Sequence, residues 1–259
     1  MDPVLERGYN LRQAFPDYVQ YFDDWRARSA AARARLDCLL DVAYGPKPRQ
    51  KVDLFHSRDA RAPMLIFLHG GYWRSMDKSD FSFLAEPLVA RGISVAMPSY
   101  SLCPEATIDE IVNDVRAAFA WLAERADRIH LCGWSAGAHL AAMLVAGGMP
   151  KISSVLALSG IYDLRPLQHV SMNEDLRLDS HAAARNSPLL LRPKAQTRFA
   201  IGAGALETPA LRKQSRDFAD AWQVSAREIP GVHHYAIVSE LANDRGALFG
   251  TLLEQIQSS

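Results

Sequence analysis

Hydrophobic positions along this chain follow two different spacings. Short, nearly unbroken apolar runs recur at Met64–Leu68, Ile93–Met97, Arg128–Cys132, Ser154–Leu158 and Arg198–Ile201. Runs of this length without polar alternation predict strands covered on both faces, as in a parallel sheet. Between them the apolar spacing changes to three and four. Ile108, Ile111, Val112, Val115, Phe119 and Leu122 follow the capping-box pair Thr107 and Glu110. Asp77 can cap a helix that carries Phe81, Leu84 and Leu88 and stops near Gly92. Thr208-Pro209 opens another, with Leu211, Phe218 and Trp222 along its apolar face. Leu39 to Tyr44 and Gln50 to Phe55 read as two strands around the turn Gly45-Pro46-Lys47-Pro48, at an antiparallel edge. Val224 to Ile229 gives a last strand and Leu241 to Ile256 a terminal helix. Such alternation means right-handed crossovers with helices on both sheet faces, so the predicted class is α/β with about eight strands in one sheet.

Two stretches fall outside the alternation. Residues 1–36 include a helix with Phe15, Tyr18, Val19, Phe22 and Trp25 on one face, and residues 161–196 separate two sheet strands by far more than the usual few residues. The second reads as a cap-like insertion that either lines a binding site or only packs. No repeat, low-complexity tract or linker divides the 259 residues, so a single domain over 1–259 is expected.

Composition narrows the partners. At 49% hydrophobic and 22% charged the chain can bury a sizeable core. Its 29 basic residues balance 29 acidic ones, which speaks against a nucleic-acid surface. Cys38, Cys103 and Cys132 form neither a disulfide framework nor a zinc spacing, and the start Met1-Asp2-Pro3-Val4-Leu5-Glu6-Arg7 lacks a signal peptide's basic end and apolar stretch. The reading is a cytoplasmic protein with no membrane partner, no metal and no cofactor; a homodimer is compatible with it.

The segment that points to chemistry is Ile129-His130-Leu131-Cys132-Gly133-Trp134-Ser135-Ala136-Gly137. An apolar strand enters Gly-x-Ser-x-Gly and a small-residue helix leaves it, which is the setting of a nucleophile elbow. Ser135 is the expected nucleophile. Earlier, Leu68-His69-Gly70-Gly71-Tyr72-Trp73 leaves a strand end, and the N–H groups of this glycine loop (Gly70, Gly71, Tyr72), with that of Ala136, can receive an oxyanion. His69 is expected to brace the loop through a hydrogen bond, and His139 to be structural. Acid and base should then follow the serine in that order. Glu207 lies in the loop after the Arg198 run, with Asp163 as a rival acid. His233-His234 follows the last strand, and His234 is the preferred base, although spacing alone does not separate the two. Tyr72, Trp73 and Trp134 are candidate walls of a small acyl site.

From Tyr44 onward the chain resembles the α/β-hydrolase fold, in the branch that includes hormone-sensitive-lipase-type esterases and serine-dependent kynurenine formamidases. His69-Gly70-Gly71-Tyr72-Trp73 is closer to the formamidase pattern than to the esterase one, which has a third glycine where Tyr72 stands. Ser159-Gly160-Ile161-Tyr162-Asp163-Leu164, Glu207-Thr208-Pro209 and His234-Tyr235 are similar to it as well. The resemblance implies Ser135, Glu207 and His234 as a catalytic triad and Gly71, Tyr72 and Ala136 as oxyanion donors. It implies a serine hydrolase for an aryl formamide such as N-formylkynurenine or, as the alternative, a short-chain carboxylic ester. A ligand receptor on the same scaffold would lack a triad member. The departure is Glu207, where these formamidases generally carry Asp.

Overall fold

A computed structural model describes residues 1–59, 61–194 and 197–258. Its eight strands are β1 (Cys38–Ala43), β2 (Lys51–Phe55), β3 (Met64–Leu68), β4 (Ser94–Pro98), β5 (Ile129–Trp134), β6 (Ile152–Leu158), β7 (Arg198–Gly204) and β8 (Ser225–Ile229). They form one sheet in the order β1-β2-β4-β3-β5-β6-β7-β8. β2 pairs antiparallel with both β1 and β4, and every other pairing is parallel. The α/β architecture and the antiparallel edge are therefore as expected. The carboxyl ends of β3, β5, β6, β7 and β8 lie side by side, which is where open α/β sheets present their ligand sites.

The helical expectations hold with adjustments that have local causes. Ile108–Ala123 carries the expected capping box, its Glu110 side chain accepting from Thr107 N–H at 2.8 Å. Thr208 caps Pro209–Trp222. The element after Asp77 starts as a 3-10 helix, Lys78–Leu84, and becomes α-helical only over Ala85–Val89. Pro87 supplies no N–H for an α-type bond back to Phe83, so one continuous α-helix cannot run through. The terminal helix begins at Ala247 rather than Leu241 and runs to Gln257, because the Asn243 side chain takes the Arg245 N–H in a turn after a separate short helix, Ala236–Leu241.

Residues 1–36 form three helices, Pro3–Tyr9, Leu11–Ala14 and Tyr18–Arg35. Phe15 precedes the long helix and Val19 is 48% exposed, so the expected apolar face is corrected to Tyr18, Phe22 and Trp25. Trp25 is wholly buried against Phe81, Phe83 and Trp134, and its indole donates to Ser239 Oγ at 3.3 Å. Ser29 accepts from Phe83 N–H and donates to the Asp80 carbonyl, fastening this helix to the 3-10 turn. The insertion after β6 is a chain of short pieces, Arg165–His169, Asn173–Leu176, Ser180–Arg185 and Pro188–Leu190; its expected last residues, Ala195 and Gln196, lie outside the described residues. Among the described residues no helix is long and apolar enough to cross a membrane.

Three histidines are built into the interior as neutral rings. His130 Nδ1 meets Ser154 Oγ at 2.8 Å, His139 Nε2 meets the Asn186 carbonyl at 2.7 Å and His69 Nδ1 meets the Gly70 carbonyl at 2.8 Å. Burial pushes each down to about 4 from an ordinary 6.5. The unfolded chain therefore takes up protons that the folded one refuses between those two values, and stability falls as pH drops through that window. The urea midpoint should fall between about pH 7 and pH 5, by the equivalent of at least ~1 kcal/mol; a flat midpoint would show that these rings are not held neutral.

Candidate active site

Ser135 stands where β5 gives way to the helix Ala136–Ala146, at φ 56° and ψ −115°. Such a backbone is strained for a non-glycine residue and persists only when its surroundings enforce it. The enforcing contact lies two residues on. A Cβ on Gly137 would sit 1.9 Å from the Leu68 carbonyl oxygen, so only glycine lets the helix start this close to the end of β3. The Ser135 N–H donates to the Leu158 carbonyl at 2.8 Å, tying the turn to β6. Ser135 itself is 1% exposed and lines a small cavity of about 70 Å³.

Glu207 and His234 reach the same region from two neighbouring strand ends. β7 runs further than expected, through Gly204, because Gly202, Ala203 and Gly204 pair with Arg227, Glu228 and Ile229 of β8; a Cβ on Gly204 would strike the Val232 carbonyl at 2.4 Å, and the turn carrying Glu207 follows at once. Glu207 Oε1 lies 3.5 Å from His234 Nδ1, with both side chains buried. That distance is looser than a formed hydrogen bond, as resting sites often are. The same oxygen accepts a very short hydrogen bond from Ser159 Oγ and a longer one, 3.4 Å, from Gly204 N–H. The His234 carbonyl accepts from the Trp134 indole at 2.9 Å, and His234 lines the cavity with Ser135. A carboxylate facing Nδ1 favours the tautomer that leaves Nε2 free to take a proton.

The rival residues are engaged elsewhere. Asp163 is held in a fork by Arg165 at 2.9 and 2.8 Å. His233 faces Asp17 at 3.3 Å, stacks on Phe15 with ring centroids 4.8 Å apart and accepts the Tyr235 N–H.

The loop after β3 is left-handed at three successive residues, Gly71 (φ 107°), Tyr72 (φ 52°) and Trp73 (φ 55°). The Gly71 carbonyl closes it by accepting from Arg74 N–H and Ser75 N–H, both at 3.1 Å. Among the described residues the N–H groups of Gly71, Tyr72 and Ala136 have no acceptor. His69 braces the loop as expected, and Tyr100 stacks on it while donating to its carbonyl at 2.7 Å. His139 is buried against Trp73. Gly71, Tyr72 and Trp134 line the cavity, and Gly70 does not. Trp73 is a correction. It is fully buried with its ring edge-on to His139 at 4.9 Å and takes no part in the lining; the left-handed turn points its large apolar area inward, where burial is most favourable.

Several lining residues were not anticipated: Tyr9, Asn10, Leu11, Arg12 and Phe22 from the amino-terminal segment, Arg74 beside the glycine loop, and Ser171 and Met172 from the insertion. Both irregular stretches thus wall the cavity. Ser159 enters the sequence reading only within a motif, and its place at the end of β6, next to β7, is the signal that marks it as a partner for Glu207. Among the described residues no three His, Cys, Asp or Glu side chains converge on a metal site.

The BD-FAE family model matches residues 52–191. The kynurenine formamidase of Danio rerio is 33% identical over 249 residues, covering 88% of this chain and 85% of its own. The chain is a hydrolase of the kynurenine formamidase family. A candidate thioesterase of Silicibacter sp. tm1040 superposes with a TM-score of 0.92 at 32% identity, covering 96% of this chain and 98% of its own. Esterase B of Lactobacillus rhamnosis shares the fold at 19% identity, with a TM-score of 0.70 over 95% of this chain and 94% of its own.

Gly137→Ala should lower the melting temperature by several degrees or prevent soluble folding, because backbone cannot yield to a Cβ at 1.9 Å. Gly250→Ala is the matched control: it lies inside a helix with open space at the Cβ position and should stabilise by about 0.5–1 kcal/mol. Thermal unfolding of the two variants decides both.

Proposed function

We propose that this hydrolase removes a small acyl group through Ser135, His234 and Glu207. The observation that carries the reading is the meeting of Ser135 and His234 in one cavity with Glu207 Oε1 facing the far side of the imidazole. Ser135 Oγ attacks the carbonyl carbon as its proton passes to His234 Nε2. The oxyanion is received by the N–H groups of Gly71, Tyr72 and Ala136. His234 returns the proton to the leaving nitrogen or oxygen as the bond to carbon breaks, leaving an acyl-serine. Water then attacks the acyl group, with His234 as base, and the carboxylic acid departs. Glu207 holds the tautomer and offsets the imidazolium charge.

The lead substrate is an aryl formamide such as N-formylkynurenine, supported by a relative named kynurenine formamidase that matches 88% of the chain. The alternative is a short-chain carboxylic ester, supported by the thioesterase and esterase scaffolds. Glu207 in place of Asp is accommodated by Ser159, whose hydroxyl fixes the longer side chain. The enzyme in this reading works in the reducing cytoplasm, in keeping with its three free cysteines, takes no nucleic-acid partner and needs no metal or organic cofactor. A homodimer is compatible with it.

Ser135→Ala and His234→Ala should each lower kcat by roughly four orders of magnitude or more while leaving circular dichroism unchanged, whereas His233→Ala should stay within about tenfold. Near-normal turnover by Ser135→Ala would end the mechanism. Specificity constants for N-formylkynurenine and p-nitrophenyl acetate choose between the substrate classes; negligible formamide cleavage beside good ester cleavage would replace the lead reading by the alternative.

A further inference from the structure

The cavity is far from neutral, although the chain is. Two arginines, Arg12 and Arg74, stand in its lining, which contains no Asp or Glu. Arg74 is already matched by Asp175 at 2.5 Å. Arg12 is different. It makes no ion pair and no hydrogen bond among the described residues, and its guanidinium lies only over the Tyr18 ring, 5.4 Å from the centroid. An arginine held on an aromatic face keeps its planar fork of N–H donors free for a carboxylate. The remaining wall supplies aromatic faces in Phe22, Tyr72, Trp134 and Tyr235. We infer that Arg12 is a specificity-determining residue that binds a carboxylate on the leaving half of an aromatic substrate.

The inference rests on the proposed acyl transfer at Ser135 and names the substrate class of that site. If the acyl half is as small as formyl, the anionic group has to sit on the departing half. The leaving group is then an aromatic amine or phenol bearing a carboxylate, and an acylated amino acid with an aromatic amine is one case. Because Arg12 is exposed when the site is empty, bound substrate has to exclude water from it before the contact reaches full strength.

The test uses matched pairs: 3-carboxyphenyl acetate against phenyl acetate, and 2-formamidobenzoate against formanilide. The wild-type enzyme should prefer the anionic member of a pair in kcat/KM. Arg12→Gln should cut the anionic-to-neutral ratio by roughly ten- to a hundredfold, mainly through KM, and Arg12→Lys should restore part of it, since the charge stays while the fork is lost. An unchanged ratio in Arg12→Gln, or a wild-type preference for the neutral members, overturns the inference. Loss of the formamide pair alone, with the ester ratio still dependent on Arg12, removes only the formamide reading. If neither pair is hydrolysed, titration calorimetry with 2-aminobenzoate still decides: binding that weakens at least about tenfold in Arg12→Gln upholds the carboxylate site, and binding indifferent to the change, or none, refutes it.

Discussion

The hydrogen bond from the Trp134 indole to the His234 carbonyl joins the parts on which the site depends. Trp134 immediately precedes Ser135, so the bond fixes the serine turn and the histidine loop to each other across a hundred residues of chain. The same ring packs edge-on to Trp25 of the amino-terminal helix, against Phe81 of the 3-10 turn and against Tyr235. A single buried indole thereby coordinates four segments that come from distant parts of the sequence. Its burial is satisfied because the one polar atom it carries has an acceptor.

The arm of the proposed acid, Glu207, is built on the same economy of contacts. Glu207 Oε1 faces the histidine, a serine hydroxyl and a backbone N–H at once, while Oε2 has no partner among the described residues. Concentrating the donors on one oxygen localises the negative charge on the side where an imidazolium would form. The methylene that distinguishes glutamate from aspartate is taken up by a bracing hydroxyl at the neighbouring strand end.

Much of this was legible because it rests on local rules. Strands buried on both faces show as unbroken apolar runs, capping boxes show as residue pairs, and the elbow shows as a glycine-flanked serine between a strand and a helix. What was lost depended on packing at a distance. Gly202, Ala203 and Gly204 read as a loop, yet they are strand, because they pair with Arg227, Glu228 and Ile229 of β8, a partner more than twenty residues away. Trp73 reads as a pocket wall and is core, since the left-handed turn that directs it inward leaves no composition signal. Arg12 drew no notice because an isolated arginine in a helical stretch looks like any solvated charge. Net charge is silent on the same point, because it averages over the surface, whereas a cavity samples only a few residues of it.

The amino-terminal segment is clamped at two points by main-chain atoms. Thr208 Oγ1 donates to the Gly8 carbonyl and the Tyr72 hydroxyl to the Tyr9 carbonyl, both at 2.7 Å. One clamp comes from the loop after β3 and the other from the helix cap beside Glu207, so the segment is aligned to both sides of the reaction centre by groups that every amino acid possesses. Asn10 caps the helix Leu11–Ala14 and Leu11 is buried in the core, so among positions 10–12 only the Arg12 side chain is uncoupled from the alignment it rides on. A change at that one exposed position can therefore alter what meets the cavity without disturbing the main-chain clamps that align the segment.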